Sequence, residues 1–419
     1  MMGMNDDFRP DPRFSRVSEN TAGTDKAPAF RPPEEVARTD AHVGQHQVHG
    51  ALPNSDQPPA HKSSKPHWWK RLSKKQWIII GAIAAVLIGG GVASYFIWFH
   101  HPAKPVVKQV TKKATPKPAP VQPTSTLTGL PISDESINKK QVTAVMIENS
   151  PAARPQSGLD KAGVVFEAIA EGGITRFTAL YQDTSTDYIG PVRSVRPYYL
   201  SWLMGFDAAV AHVGGSGEAL NDIKVWNVKN LEQSYNGGYF TRITSRAAPH
   251  NVYTSIANLN ALEAKLGYNS SSYTGFPRKK EVPSKAPTAT GIDLAISSYD
   301  YHVHYDYDVA SNSYKRSEGG KPHMVADKSG AQVQLSPKVV IAMVVPRNLQ
   351  ADDLHNNYKT IGSGHVFIFQ DGISVQGNWT KDSNTGQIKF TDEQGQPFSL
   401  DPGQTWITAV ETNNLVSYK

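Results

Sequence analysis

The feature that most restricts how this chain can fold is an uncharged, largely apolar run of 23 residues from Trp77 to Phe99. At about 1.5 Å per residue, a helix of this length is roughly 34 Å long and can cross a hydrocarbon core of about 30 Å. The run is longer than the apolar part of a cleavable signal peptide and lies further from the N-terminus. The sequence therefore predicts a transmembrane helix over 76–99 that acts as an uncleaved signal anchor.

Basic residues indicate the orientation of this helix. Four Lys or Arg side chains lie within seven positions before Trp77, whereas Lys104 is the only one as close after Phe99. Because Lys and Arg beside a span favour the cytoplasmic side, we expect a single-pass protein of the cell membrane. Its N-terminus is then cytoplasmic and its C-terminal domains are extracytoplasmic.

The distribution of charge argues against a nucleic-acid partner. The chain carries a formal net charge of +6 and has a pI near 9.1, but residues 1–75 contribute +3 and residues 100–128 contribute +5. Residues 129–419 are left with a net charge of −2. A basic face on a folded domain is therefore not expected, and we predict no binding to nucleic acid.

The segments on either side of the apolar run lack the pattern of a folded domain. Residues 1–75 are polar and Pro-rich, which predicts a disordered cytoplasmic tail whose five His suit either a metal-binding tract or a plain polar tail. Residues 100–128 alternate Pro with Lys, which predicts an extended linker. The chain contains no Cys, which excludes thiol chemistry, cysteine-bound metals and a lipid-modified Cys.

Residues 129–419 predict an α+β fold in two parts, a mixed α/β domain over 129–290 and a mostly β domain over 291–419. In the first part, Gly172 and Gly173 indicate a hairpin turn, and Pro197 suits the first turn of a helix. Apolar runs predict strands at 141–148, 161–170, 174–182 and 206–213. Start and stop signals predict a helix at 194–204, and a short helix at 218–225 follows a glycine turn. In the second part, short apolar runs between Gly, Asn and Asp predict strands only.

The segment EAIAEGGITRF contains the first candidate site. In a regular strand Glu167, Ile169 and Glu171 share one face, and the hairpin returns Arg176 close to them. Two carboxylates beside an Arg suit acid/base catalysis or the binding of a polar ligand. The same pattern also suits a solvated sheet face with an Arg–Glu ion pair.

The segment GPVRSVRPYY places Arg193 and Arg196 at a predicted helix start. The positive end of a helix dipole repels cations, so an anion is expected between these side chains. That anion is either a ligand phosphate or carboxylate, or Glu167 or Glu171 of the chain itself. Both alternatives remain open on the sequence.

Two further segments carry candidate residues. In AVAHVGGSGEAL, His212 is a core histidine or a site group, and Ser216 suits a helix cap better than a nucleophile. The spacing there matches neither a P-loop nor a nucleophile elbow. In TRITSRAAPHNVYTS, a loop before a helix supplies Arg242, Arg246, His250 and Asn251.

Residues of the C-terminal part give weaker signals. His302, His304, Asp306 and Asp308 lie on one face of a predicted strand, where they suit either a Zn or Mn site or an ordinary polar face. We predict no metal and no cofactor. The contexts of Trp379 and Trp406 are typical of a sheet core, although an exposed Trp can stack on a sugar ring.

Seven segments in this order resemble the YerB-like family of bacterial envelope lipoproteins, which carries a two-part domain of unknown function: EGGITRF, GPVRSVRPYY, AHVGGSGEAL, APHNVYTS, KRSEGGKPH, FQDGISVQGNW and PGQTWI. The resemblance covers about residues 129–410 and implies an extracytoplasmic, membrane-tethered bacterial protein. The apolar run at 77–99 then replaces the lipid-bearing Cys that this chain lacks. The family brings no established reaction or catalytic residue.

These observations favour an Arg-rich cleft that binds an anionic component of the cell envelope, such as peptidoglycan, a teichoic-acid-like polymer or lipid phosphate. The candidate ligand-binding residues are Arg176, Arg193, Arg196, His212, Ser216, Arg242, Arg246 and Asn251. One alternative is a glycan hydrolase or transferase in which Glu167 or Glu171 is the acid/base and His250 assists. Another is that these motifs only stabilise the fold.

Overall fold

The computed structural model describes residues 73–99, 122–352 and 354–419. The chain divides into two compact units, residues 1–112 and 113–419. The predictions for the N-terminal tail, its His residues and most of the linker concern residues outside the described ranges.

The first unit contains the helix α1 (Lys74–Phe99), which includes the whole predicted span. It is 26 residues long and its residues are exposed. By length and composition, this helix is capable of crossing a membrane.

The second unit is mixed α/β, and its described residues form three α-helices: α2 (Pro197–Met204), α3 (Gly217–Val225) and α4 (Ile256–Leu266). Short 3-10 helices occupy Glu135–Lys139, Pro151–Ala153, Leu159–Lys161, Gly237–Tyr239, Tyr299–Tyr301 and Asn413–Leu415. The described residues from 291 onward contain strands and 3-10 turns but no α-helix, so this region is mostly β, as predicted.

The strands before residue 290 are β1 (Thr143–Glu148), β2 (Val164–Glu171), β3 (Ile174–Tyr181), β4 (Ala209–His212), β5 (Asn230–Glu232), β6 (Thr241–Arg242) and β7 (Val252–Tyr253). The later strands are β8 (Gly291–Ala295), β9 (His302–Asp308), β10 (Ser313–Glu318), β11 (Lys321–Pro322), β12 (Met324–Ala326), β13 (Gln332–Gln334), β14 (Val339–Val344), β15 (Arg347–Leu349), β16 (Asn356–Tyr358), β17 (Gly362–Gln370), β18 (Ile373–Lys381), β19 (Lys389–Thr391), β20 (Thr405–Val410) and β21 (Val416–Tyr418).

A ten-stranded sheet in the order β19-β18-β17-β14-β20-β2-β3-β1-β4-β5 is the centre of the second unit. Strands from both predicted regions build it, because β2 of the first pairs in parallel with β20 of the second. Strands β1, β4 and β5 are parallel to one another, and β3 is antiparallel to its neighbours β1 and β2. The carboxyl ends of β1, β2, β4 and β5 therefore lie side by side, and we call this end of the sheet the carboxyl edge.

Both faces of this sheet are covered. Apolar side chains of α2 and α3 pack on one face, and those of α4 pack on the other. A five-stranded antiparallel sheet, β11-β10-β9-β8-β21, packs over the β14–β17 half of the same face as α4. Trp379 and Trp406 are 1% and 0% exposed, which confirms that they belong to the core.

Local sequence explains several of these elements. Gly172 and Gly173 have φ of 55° and 78°, the left-handed conformation that a two-residue hairpin turn requires, and they join β2 to β3 as predicted. Pro197 is the first residue of α2, where its missing N–H costs no helical hydrogen bond. The helix begins there and not at Ser194, because residues 190–195 are extended and pair with the sheet.

Candidate functional site

An extended segment, residues 190–195, lengthens the sheet at the carboxyl edge. It lies between the end of β1 and the loop after β4: Arg193 N donates to Met146 O (2.9 Å), and Val213 N donates to Arg193 O (3.1 Å). This pairing places Arg193 beside Glu148, the last residue of β1. The glycine loop that leads into α3 is its other neighbour, through a bridge between Val195 and Gly215.

The pairing continues from this segment to the APHN loop. Val192 N donates to Val252 O (2.7 Å), and Val252 is in register with Arg242 across the β6–β7 hairpin. His250 and Asn251 immediately precede β7. The motifs containing Arg193, Arg242 and His250 therefore converge on the same edge, although they are distant in sequence.

Glu148 is the centre of this convergence, and its carboxylate side chain is only 5% exposed. His250 Nδ1 lies 2.8 Å from Glu148 Oε2, and Ser150 Oγ donates to Oε1 (3.1 Å). Arg193 Nε lies 3.3 Å from Oε1. Because Glu148 contacts Nδ1, the ring of His250 is oriented, and its Nε2 makes no hydrogen bond with any described residue.

A second carboxylate at the edge, Glu171, holds Arg176 and Arg196. Arg176 Nη2 donates to Glu171 Oε1 (2.9 Å), and Arg196 Nη2 donates to Oε2. Burial lowers the pKa of both guanidinium groups, which are only 2% and 5% exposed. The predicted proximity of Arg176 and Glu171 is confirmed. The anion beside Arg196 at the start of α2 is the protein's own Glu171, whereas Arg193 contacts Glu148, which was not predicted.

Glu167 does not share a patch with Glu171, so this sequence prediction is wrong. A β-bulge between Ile169 and Glu171 interrupts the alternation of β2, and the two carboxylates therefore reach different partners. Glu167 is fully buried and accepts two hydrogen bonds from Arg316 Nη2 (3.0 and 3.1 Å) and one from Trp406 Nε1 (3.0 Å).

Two of the other predicted residues have structural partners. His212 is fully buried, and its ring nitrogens contact Gly214 O (2.7 Å) and the Asn230 side chain (2.8 Å). Burial lowers its pKa, which favours the uncharged ring. Ser216 is the N-cap of α3, because its hydroxyl accepts a hydrogen bond from Ala219 N (3.3 Å).

The remaining predicted Arg residues differ in how many hydrogen bonds their side chains make. Arg246 donates to Ala153 O (2.5 Å) and Pro155 O (2.7 Å), so it braces the loop after β1. Arg242 is exposed and donates one hydrogen bond to Asn251 Oδ1 (2.8 Å). The guanidinium of Arg193 makes no hydrogen bond with any residue in the described ranges, and the side chain is 24% exposed.

We call the five arginines and two glutamates at this edge the arginine cluster: Arg176, Arg193, Arg196, Arg242, Arg246, Glu148 and Glu171. Its formal charge is +3, because two carboxylates face five guanidinium groups. Arg193 and Arg242 are its most available donors. An arrangement of this kind can hold a phosphate or carboxylate group.

No group of three or more His, Cys, Asp or Glu within the described residues is placed to hold a metal ion. On β9, His304 contacts Asp293 Oδ1 (2.8 Å) and Asp306 Oδ1 (3.1 Å). Partial burial acts to lower the pKa of His304, but the hydrogen bonds and charges of Asp293 and Asp306 together outweigh it and raise that pKa.

Sequence reasoning missed Glu148 and a buried polar network behind it. Asn149 Nδ2 donates to Glu318 Oε1 (2.7 Å), and Arg316 Nε donates to His323 Nδ1 (3.0 Å). Burial raises the pKa of Glu318 to about 7 and lowers that of His323. The only signal for Glu148 is that a carboxylate ends an otherwise apolar strand.

Comparison with known proteins supports the assignment of this chain to a family. Residues 127–269 match the model of the DUF3048 N-terminal domain, and residues 292–407 match that of the DUF3048 C-terminal domain, both described as protein of unknown function. The chain is 30% identical over 288 residues to the "Putative lipoprotein YerB" of Bacillus subtilis (strain 168), a match that covers 68% of this chain and 85% of that protein.

A solved structure agrees with this assignment. The crystal structure of the YerB protein from Bacillus subtilis matches with a TM-score of 0.62 and 27% sequence identity. The match covers 71% of this chain and 100% of that one. The chain therefore belongs to the YerB-like DUF3048 family.

Proposed function

We propose that this protein is anchored in the cell membrane through α1 and binds an anionic component of the cell envelope at the arginine cluster. The name of its Bacillus subtilis relative, a lipoprotein, supports the envelope location. This chain has no Cys to carry a lipid, and α1 is long and apolar enough to take over the anchoring role. Residues 113–419 are then extracytoplasmic, with the N-terminal tail in the cytoplasm.

The observation that carries the proposed binding is the state of Arg193. Its guanidinium is held near Glu148 by an ionic contact of 3.3 Å and makes no hydrogen bond with any described residue. The Nε of this group is buried and faces Glu148, whereas the side chain as a whole is 24% exposed, so its Nη groups are open to a ligand. A ligand oxygen at this position satisfies those donors, and Glu148 keeps the side chain oriented meanwhile.

Neighbouring groups favour an anion at the same place. The loop Gly214–Gly217 leads into the N-terminus of α3, where backbone N–H groups and the helix dipole add positive potential. Arg242 is exposed on the adjacent hairpin. Peptidoglycan carboxylates, teichoic-acid-like phosphates and lipid phosphates all offer the oxygens that such donors bind.

The geometry gives the alternative, a glycan hydrolase or transferase, less support. A glycosidase of the usual kind needs two carboxyl groups that both face the substrate. Glu167 is fully buried and bound to Arg316, and Glu171 is bound to Arg176 and Arg196. Of the three residues proposed for that reaction, only His250 has a polar side-chain atom, Nε2, without a partner in the described part of the chain.

Binding of polyglycerol phosphate and of inorganic pyrophosphate to the full chain in phosphatidylcholine nanodiscs tests the proposal. Arg193→Ala is expected to weaken binding at least about tenfold, the loss of one charge-assisted hydrogen bond. Lys338→Ala is the matched control, because Lys338 has a similar exposure of 29% but lies just before the start of β14, at the opposite end of the sheet, and pairs with Glu281. The proposal fails if neither anion binds, or if both variants bind equally well.

A further inference from the structure

A cavity of about 480 Å³ lies at the opposite edge of the same sheet, away from the arginine cluster. Its walls come from the start of β1 at Thr143, the end of β3 at Tyr181, and α4. This volume is within the range of small-molecule sites, about 300 to 1,000 Å³. The sequence motifs described above do not reach it.

The floor of the cavity is fixed by internal hydrogen bonds. Thr143 Oγ1 donates to Glu263 Oε1 (2.7 Å), and both residues are buried, at 2% and 3% exposure. Gln182 Nε2 donates to Lys140 O (2.8 Å), and Tyr273 donates to Gln182 Oε1 (2.6 Å). The shape of the floor is therefore set before any ligand arrives.

The more exposed lining residues, by contrast, include polar groups with no hydrogen-bond partner among the described residues. The side chains of Asn260, Tyr268 and Asn269 line the cavity and make no hydrogen bond with any described residue. Asp183 Oδ1 is buried and also has no partner in the described ranges. Two amides, a phenol and carboxylate oxygens together can donate to and accept from several hydroxyl groups at once.

The charges of the lining do not favour an ion. Lys140 is opposed by Asp183 and Glu263, and the other polar side chains of the lining are uncharged. Burial raises the pKa of Glu263 to about 7, so at neutral pH this group can both donate and accept a hydrogen bond. A neutral polyol fits this combination better than a strong cation or anion.

We propose that this cavity is a second binding site, specific for a neutral saccharide of one or two rings. Sugar hydroxyl groups pair with the amides of Asn260 and Asn269 and with the carboxyl group of Glu263. The ring of Tyr268 provides the apolar surface on which a pyranose face stacks. This site is separate from the arginine cluster and does not depend on the function proposed for it.

Calorimetric titration of the full chain in phosphatidylcholine nanodiscs tests this site, and glycoside detergents are avoided because they would compete. The neutral probes are cellobiose and N,N′-diacetylchitobiose, and the charged probes are glucosamine and glucuronate. We expect at least one neutral disaccharide to bind more tightly than both charged sugars. Asn260→Ala and Glu263→Gln should each weaken that binding about tenfold, whereas Arg193→Ala should leave it unchanged.

Asn260 is exposed on α4, so its replacement tests the site even if Glu263→Gln disturbs the fold. Thermal unfolding of each variant confirms that the protein is folded before titration. The inference is overturned if no neutral sugar binds at concentrations up to about 50 mM. It is also overturned if only a charged sugar binds, or if Asn260→Ala binds as the unaltered chain does.

Discussion

Arg316 Nη2 lies 3.0 Å from Oε1 and 3.1 Å from Oε2 of Glu167, and both side chains are fully buried. The two residues belong to the two parts of the family domain, Glu167 on β2 and Arg316 on β10. Burial acts to lower the pKa of Arg316, but the neighbouring Glu167, Tyr305 and Glu318 outweigh it and raise that pKa. Arg316 therefore stays charged, and its contact with Glu167 joins the two parts inside one core.

Replacing Arg316 should be strongly destabilising. Arg316→Met leaves Glu167 as a buried charge without its counterion, and we expect a loss of about 3 to 5 kcal/mol in the free energy of unfolding. Denaturant unfolding of the full chain, followed by Trp fluorescence, measures it. Arg347→Met is the control, because the Arg347–Glu411 pair is 22% and 41% exposed and should contribute no more than about 1 kcal/mol. Equal losses in the two variants would contradict this account.

Arg193 and Arg196, three residues apart, should differ in their effect on stability. Arg196 is 5% exposed, binds Glu171 and donates to Val195 O (2.7 Å), so Arg196→Ala should cost about 1 to 3 kcal/mol. Arg193→Ala removes a partly exposed side chain with no hydrogen bond and should cost less than about 1 kcal/mol. Thermal and denaturant unfolding of both variants give the comparison. If Arg193→Ala is the more damaging change, Arg193 serves the fold and not a ligand.

Gly377 on β18 should not tolerate a side chain. A Cβ at this position would lie 2.0 Å from Thr391 O on the paired strand β19 and 2.8 Å from the ring of Phe398. We expect Gly377→Ala to cost about 1 to 3 kcal/mol, since overpacking forces the backbone to shift. Gly238→Ala is the matched control, because a Cβ there meets no atom within 4 Å. Similar unfolding midpoints for the two variants would show that β19 shifts to accommodate the added Cβ at little cost in stability.

The parts of the fold that could be predicted from the sequence are local ones. The hairpin at Gly172 and Gly173 and the first turn at Pro197 depend on backbone preferences of those residues themselves. The start of α2 was predicted too early, because residues 190–195 pair with β1 and with the loop after β4. Tertiary pairing overrode a local helical pattern there.

The candidate site also has a part that local sequence predicts and a part that it does not. The proximity of Arg176 and Glu171 follows from one hairpin and was predicted. The bulge after Ile169 could not be read from alternation, and it separates Glu171 from Glu167. The partners of Glu167 and Glu148 are also remote in sequence, with Arg316 149 positions and His250 102 positions away.

Glu263 should make stability depend on pH. Burial raises its pKa from 4.5 to about 7, against the opposing hydrogen bond from Thr143. Between about pH 4.5 and 7 the unfolded chain has released this proton while the folded chain retains it. The free energy of unfolding therefore falls as pH rises, by at most about 1.4 kcal/mol per pH unit, and the loss is complete above about pH 7.

The Glu263→Gln variant isolates this effect, because its side chain does not titrate. Relative to the unaltered chain, its free energy of unfolding should rise by up to about 3 kcal/mol between pH 4.5 and pH 8. Taking the difference cancels other titrating groups such as Glu318, whose pKa burial also raises to about 7. Urea unfolding at several pH values measures it, with Glu393→Gln, which alters an exposed side chain, as the control. Parallel curves for Glu263→Gln and the unaltered chain would mean that Glu263 is solvated in the folded protein.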